Sequence, residues 1–416
     1  MLDGPLHEHE RRSWFYVGIW SFFIFITVPL ARGIQAYVSE HWGRDMFMHG
    51  VIFTIIIMLC IALLMLRLKR SAATTMNYLW LLGIAGVFVA YTIQLRKNPE
   101  EAVHFIQYGI LAILVYRAST HRIADNGIYF VAALITAAIG ITDEAIQWLT
   151  PRRHWGLRDI QLDTIAAALA LLALAKGLEP GIVSGPPTRA TAKILCWTAL
   201  CVVLLLGVSL LNTPQRISWY VSKLPALDFI VAHSSVMAEY GYRYNDEETG
   251  VFRSRLAPAD LKQTDTLRAA EAAASLDRLP ALSDYQEFLR HYTPFNDPFL
   301  HEARVHLNRR DYYLQSAEKY KNRDINEFRR RMTIAYYENR IMEKYFPETL
   351  SNSGFLLPAE TVSDMKEGAL KDISYESPVS KALLTRVNEQ QVLWASVILA
   401  VFILLTLRRL SSRLPP

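Results

Sequence analysis

The chain is expected to be an all-α polytopic membrane protein, with about eight transmembrane helices and a mainly helical exoplasmic domain between the last two. Three observations lead there. Of 416 residues, 52% are hydrophobic and mean hydropathy is positive, which exceeds an ordinary soluble domain. The apolar residues gather in eight runs, near 14–30, 46–66, 77–95, 103–118, 127–149, 160–178, 191–211 and 391–408, and about 20 apolar residues cross a bilayer. Residues 213–390 break the pattern: they are charged, nearly balanced in sign, rich in Tyr and Arg, and hold no run long enough to span.

The first run follows acidic residues with no small-residue cleavage site, so it reads as an uncleaved first span rather than a removable signal peptide. The second and third runs meet the required length outright, whereas the fourth, 103–118, is short and leans on its neighbours. The fifth stops at Pro151, which lacks an N–H and disfavours helix at Thr150. The sixth reads Thr164-Ile165-Ala166-Ala167-Ala168-Leu169-Ala170-Leu171-Leu172-Ala173, a density of small residues that permits close helix approach in lipid. A Pro/Gly-rich break from Glu179 to Pro187 precedes the seventh.

The chain thus divides into a seven-helix region 1–211, a soluble segment 212–390 large enough to bury its own core, and a last helix with a basic tail over 391–416. Within the soluble segment, helices are expected over 263–278, over 298–322 with Phe299, Ala303, His306, Leu307 and Tyr313 at helical spacing, and over 325–345 with Phe328, Met332, Ala335 and Tyr336. Tyr242 to Phe252 and Arg253 form the one hairpin candidate.

The net charge of +5 does not indicate nucleic acid, because the cations flank helix ends: Arg11-Arg12, Arg67 with Lys69-Arg70, Arg117 with Arg122, Lys176 with Arg189 and Lys193, and Arg408-Arg409 with Arg413. Placing these in the cytoplasm satisfies the positive-inside rule, with both termini inside a cytoplasmic membrane and 212–390 exoplasmic. Arg152, Arg153 and Arg158 then lie outside and are read as partners of nearby carboxylates. Cys60, Cys196 and Cys201 fall within spans and read as buried thiols, and 213–390 holds no cysteine for a disulfide framework. His301-Glu302-Ala303-Arg304-Val305-His306 has one residue too many for the i,i+4 histidine pair of a zinc protease. No metal site and no cofactor is expected. Arg309-Arg310-Asp311-Tyr312-Tyr313 and Arg329-Arg330-Arg331 are read as solvated helix faces.

Ionisable groups inside the membrane are costly and default to a functional reading. His104 opens the fourth helix, with Tyr108 one turn deeper on the same face. Asp143, Glu144 and Gln147 share a face at the end of the fifth, and the sixth begins near Asp159 and carries Asp163 one turn inside. All belong to the same side of the membrane. His104 is suited to proton exchange near neutral pH, and Asp143 with Glu144 to general acid/base work or to a divalent cation. The competing account is a structural ion-pair network locking three helices.

These residues resemble the VanZ-like family of bacterial membrane proteins, whose namesake acts in teicoplanin resistance. The resemblance covers about 77–178 and rests on His104-Phe105 with Gln107-Tyr108, on Asp143-Glu144-Ala145-Ile146-Gln147, on an Arg after a short loop (Arg152 or Arg153), and on Asp159 opening the last helix. Pro29 and Arg32 of the first helix extend it. Glu101, Asp163 and Ala166 depart from the family's Lys, Asn and Gly, which shifts the site toward acidic. The resemblance implies a cell-envelope role bearing on glycopeptide susceptibility. The resemblance and the residues' own placement together single out a site of His104, Asp143, Glu144, Gln147 and Asp159, with Tyr108, Arg152, Arg153, Arg158 and Asp163 as ligand-binding neighbours.

Two functions compete. In the first, the exoplasmic-facing site recognises or modifies an outer-leaflet lipid or lipid-linked glycan carrier. In the second, the protein is a non-enzymatic scaffold whose segment 213–390 binds an envelope or exopolysaccharide-assembly partner. Proton transport is a weaker third, since the acids cluster at one face instead of crossing the bilayer.

Overall fold

The computed structural model describes residues 4–68, 73–151, 153–370 and 373–412. Arg152, Lys69, Arg70 and Arg413, named above, lie outside these residues. The protein is an all-α polytopic membrane protein: among the described residues, eight helices are long and apolar enough to cross a membrane. They belong to α1 (Gly4–His41), α2 (Asp45–Leu68), α3 (Thr75–Gln94), α4 (Val103–Ser119), α5 (Gly127–Trp148), α6 (Leu157–Leu172), α7 (Arg189–Leu210) and a final helix, Glu389–Ser412.

The short fourth run gains length from a 3-10 turn, Pro99–Ala102, that feeds directly into α4. Pro99 suits that first position because its missing N–H would have no intrahelical partner. At the other end of the site, α5 closes with Thr150 N–H donating to the Gln147 carbonyl (2.9 Å) just before Pro151. Helix α6 runs on through a π turn, Ala173–Leu178, ending at Glu179 with φ +40°. Asn77 of α3 donates to the Lys176 carbonyl in that wide turn (3.0 Å).

Helix α4 is the axis of the transmembrane core. Its Phe105, Tyr108, Leu111, Ala112 and Val115 are buried with Ala166, Ala167 and Ala170 of α6, Val131 and Ala132 of α5, and Val17 and Ile24 of α1. A methyl group on Gly109 would sit 3.9 Å from the Ala170 side chain, so the small residues of α6 do allow near approach. By contrast Phe53, Ile56, Leu64, Val208 and Phe402 are exposed, as lipid-facing residues should be. The cysteines depart from expectation: Cys60 and Cys201 are exposed and Cys196 is intermediate. Cys60 and Cys201 sit on outward faces of α2 and α7, where a small apolar thiol is compatible with lipid, whereas Cys196 packs against Leu200, Ile403 and Leu407.

Leu210–Val392 forms a second compact unit. It contains α8 (Pro214–Val221), α9 (Asp228–Ala232), the strands β1 (Tyr242–Asp246) and β2 (Gly250–Ser254), α10 (Pro258–Asp277), α11 (Tyr285–His291), α12 (Pro298–Ala317), α13 (Ile325–Tyr345), α14 (Pro347–Ser351) and α15 (Ala359–Gly368); the final span, Glu389–Ser412, is α16. The strands pair antiparallel, Tyr244 opposite Phe252. Asp246 closes the turn by accepting from the Glu248 and Thr249 N–H groups (2.9 and 3.2 Å). Gly250 has φ +73° and presses on the Tyr375 carbonyl, which a methyl group there would approach to 2.4 Å.

Phe252, Phe288, Phe299, Leu307 and Phe346 form the core of this unit, and buried charge crosses it. Glu338 is fully buried and accepts from His306 Nδ1 (2.6 Å), Arg309 Nε (2.8 Å), the Tyr375 hydroxyl (2.7 Å) and Ser377 (2.9 Å). Burial alone would raise its pKa, but the His306 ring and Arg309 guanidinium outweigh that and hold it at about 2. Arg310 is also buried, donating to Asp311 (2.7 Å), Asn339 (3.2 Å) and the Phe355 carbonyl (2.8 Å). The reading of Arg309-Arg310 as a solvated face is therefore corrected: Arg309 meets Glu338 of α13, and Arg310 meets Asn339 and the Phe355 carbonyl as well as its neighbour Asp311. Arg329 and Arg330 are exposed, whereas Arg331 lies over the Tyr320 ring at 4.5 Å.

Candidate functional site

The site lies where the first turns of α4 and α6 meet the last turn of α5. Its core is buried: Tyr108, Asp143, Glu144, Gln147 and Asp163 are each at most 4% exposed. Burying acids at this density is tolerable only where they meet donors, and the donors come from α4, α5 and the loop between α5 and α6.

His104 Nδ1 meets Asp163 Oδ1 at 2.8 Å, joining α4 to α6. The His104 ring stacks on Tyr108, with centroids 6.0 Å apart and planes within 5°. The Tyr108 hydroxyl donates to Asp143 Oδ2 (3.1 Å), joining α4 to α5. Gln147 Nε2, on the same face of α5 as both acids, donates to Glu144 Oε1 (2.5 Å) and Asp143 Oδ2 (3.3 Å). Arg153 in turn donates to the Gln147 amide oxygen, which orients the amide nitrogen toward the acids. The other oxygen of Glu144 accepts the Gly156 N–H at 2.7 Å, pinning the α5–α6 loop.

Two glycines make this arrangement possible. A methyl group on Gly140 would lie 3.1 Å from Asp163 Oδ2 and 3.3 Å from the Tyr108 ring. One on Gly156 would lie 2.8 Å from Asp159 Oδ2. Asp159 thus sits against the loop in the first turn of α6, where the helix dipole favours a negative charge, and it acts electrostatically on Glu144.

The arginines are distributed differently from a simple set of carboxylate partners. Arg158 pairs with Glu101 at 3.0 Å, and Glu101 also accepts from Asn98 (2.8 Å). Glu100 pairs with Arg44 (2.6 Å) and accepts from Gln35 (2.8 Å). Arg153 reaches Asp143 only through its charge and through Gln147. His154, in the loop between α5 and α6, is held below its usual pKa by partial desolvation and then by Arg32 and Arg153.

Of the residues singled out in the sequence, His104, Tyr108, Asp143, Glu144, Gln147, Arg153 and Asp163 form one connected network. Asp159 flanks it, Arg158 belongs to a neighbouring pair, and Arg152 lies outside the described residues. Sequence reasoning did not single out Gly140 and Gly156, and it met Glu101 only as a departure from a family pattern. The sole signal for the glycines was a small residue one turn before Asp143 and three residues before Asp159.

Two acceptors in the network are open. Asp143 Oδ1 and Asp163 Oδ2 are buried and have no hydrogen-bond partner, and buried polar atoms are rarely left so. His104 has 19% of its side chain exposed beside them. The arrangement thus sets two buried, unpartnered carboxylate oxygens next to an imidazole able to exchange a proton. Among the described residues, no three or more His, Cys, Asp and Glu side chains converge to hold a metal ion. Comparison with protein-family models, curated proteins and solved structures returned no match to this chain.

Proposed function

We propose that this is a VanZ-like protein of the cell envelope whose polar site recognises or modifies the head of an outer-leaflet lipid or lipid-linked glycan, with an effect on glycopeptide susceptibility. The observation that carries the reading is the pair of open acceptors, Asp143 Oδ1 and Asp163 Oδ2, beside a partly exposed His104. Buried carboxylate oxygens are seldom left without a donor, so the pair favours a ligand over a purely structural lock. Sugar hydroxyls and amino groups supply such donors, and the basic residues at the opposite helix ends support an outward-facing site. In this reading His104 exchanges the proton, Asp143 and Asp163 hold the donors, and Glu144 with Gln147 keeps the acids in register.

The test is mass spectrometry of membrane lipids and cell-wall precursors in wild type, a deletion, and the deletion complemented with Glu144→Gln at matched expression. A species that accumulates in both the deletion and the mutant supports the reading and names the substrate. Parallel loss of folded protein and function supports the structural lock instead.

The second reading, a scaffold acting through 213–390 on an envelope or exopolysaccharide-assembly partner, draws on the separate core of Leu210–Val392. It requires site mutants to keep function and removal of that unit to abolish it. Proton transport is disfavoured, because the network occupies only the ends of α4, α5 and α6.

A further inference from the structure

Below the polar site the bundle holds a groove of about 300 Å³, between α2, α3, α4 and α6. Its volume is at the small end of ligand pockets. Small side chains create the space, namely Ala62, Ala85, Gly109, Ala170 and Ala173, while Phe88 and Met65 are among the larger residues that wall it. Its one hydroxyl, on Thr54, already donates to the Gly50 carbonyl (2.8 Å). The groove therefore offers hydrocarbon contact and no free donor, and it lies wholly on membrane-spanning helices.

The site and the groove share two helices. On α4 the groove begins at Phe105, the residue after His104, and reaches Ile113. On α6 it begins at Ala170, two turns beyond Asp163, and continues into the π turn. At 1.5 Å rise per residue the groove extends from the level of the site to roughly 20 Å below it. An amphiphile whose head met His104, Asp143 and Asp163 would carry its chain down into this depth.

We infer that the groove between α2, α3, α4 and α6 seats a hydrocarbon chain of the lipid whose head occupies the polar site, so that the ligand is a long-chain lipid held at both ends. The inference rests on the reading of the polar site as a lipid-head site. The groove sets chain selectivity, and the network sets head selectivity.

The test uses the full-length protein, purified in detergent and examined by native mass spectrometry for retained lipid. Wild type is expected to keep one lipid after detergent exchange. Ala62→Trp and Ala85→Trp, which fill the groove away from the network, should lower that fraction at least tenfold and fail to complement a deletion at matched expression. Met65→Ala, which enlarges the groove, should shift the retained species toward longer chains. Loss of all lipid from wild type would leave only ordinary bilayer contact and overturn the inference. Full complementation by both folded Trp variants, with unchanged chain lengths in Met65→Ala, would also overturn it. If Glu144→Gln complements while the Trp variants do not, the polar-site reading falls and the chain site stands.

Discussion

At Gly140 one methyl group separates a working network from a disturbed one. Alanine would gain about 1 kcal/mol of helix propensity, but its Cβ would meet Asp163 Oδ2 at 3.1 Å. Asp163 is tied to His104 at 2.8 Å, so it yields only by loosening that bond. Gly140→Ala is expected to fail complementation with protein abundance nearly unchanged, whereas Gly83→Ala, with open space around it, should complement fully. Quantitative immunoblots alongside the complementation assay separate the two. In the second unit, Glu338 balances two cationic or hydrogen-bonding neighbours in a dry core. Removing it by Glu338→Ala leaves Arg309 and His306 unmatched, a loss of about 3–5 kcal/mol, visible as a lower melting temperature of the full chain. Its acid response follows from the depressed pKa: the stabilisation is complete above about 4.5 and is lost as pH falls toward about 2. Hydrogen exchange of peptides from α12 and α13 should accelerate across that window, and less so in Glu338→Gln.

Helix α6 carries the most demanding packing, and its two faces respond differently. Ala167 is fully buried against its neighbours, so Ala167→Leu overpacks and costs about 1–3 kcal/mol. Ala168, one residue on, is exposed, and Ala168→Leu should leave the melting temperature of the purified protein within error. This helix also shows what a sequence makes legible. The spacing of Asp143, Glu144 and Gln147 places them on one face by helix geometry alone, and length with hydropathy marks the spans. Which acid meets which donor depends on helix rotation, so the choice of Asp163 for His104, and of Glu101 for Arg158, was not readable. Arg309 and Arg310 were misplaced for a related reason: hydropathy scores a guanidinium as surface, while Glu338 and Phe355, far along the chain, take it inside. The π turn at Ala173–Leu178 has no residue signature, and its stabilising contact comes from Asn77 on another helix.

For the whole molecule, eight crossings return the chain to the side from which it started, so reporter fusions beside Arg11 and Arg408 should read the same compartment. Cys60 and Cys201, exposed on lipid-facing helices, should resist a charged maleimide in intact membranes and react once detergent replaces lipid. A different outcome for either thiol would misplace α2 or α7. The two ends of the Leu210–Val392 unit are stitched to each other: Gly241 N–H donates to the Leu384 carbonyl (3.1 Å) and Leu384 N–H to the Glu239 carbonyl (2.8 Å). Arg216 pairs with Glu389 in the same region. Within the bundle, Leu200 of α7 packs with Ile403 and Leu407 of α16. Loop-closure entropy grows with the free length between two packed elements, and this pairing closes the stretch from Glu239 to Leu384 on itself. The stretch between those paired strands of chain therefore carries its own closure, and a change of loop length inside it meets a small entropic penalty that the unit itself absorbs.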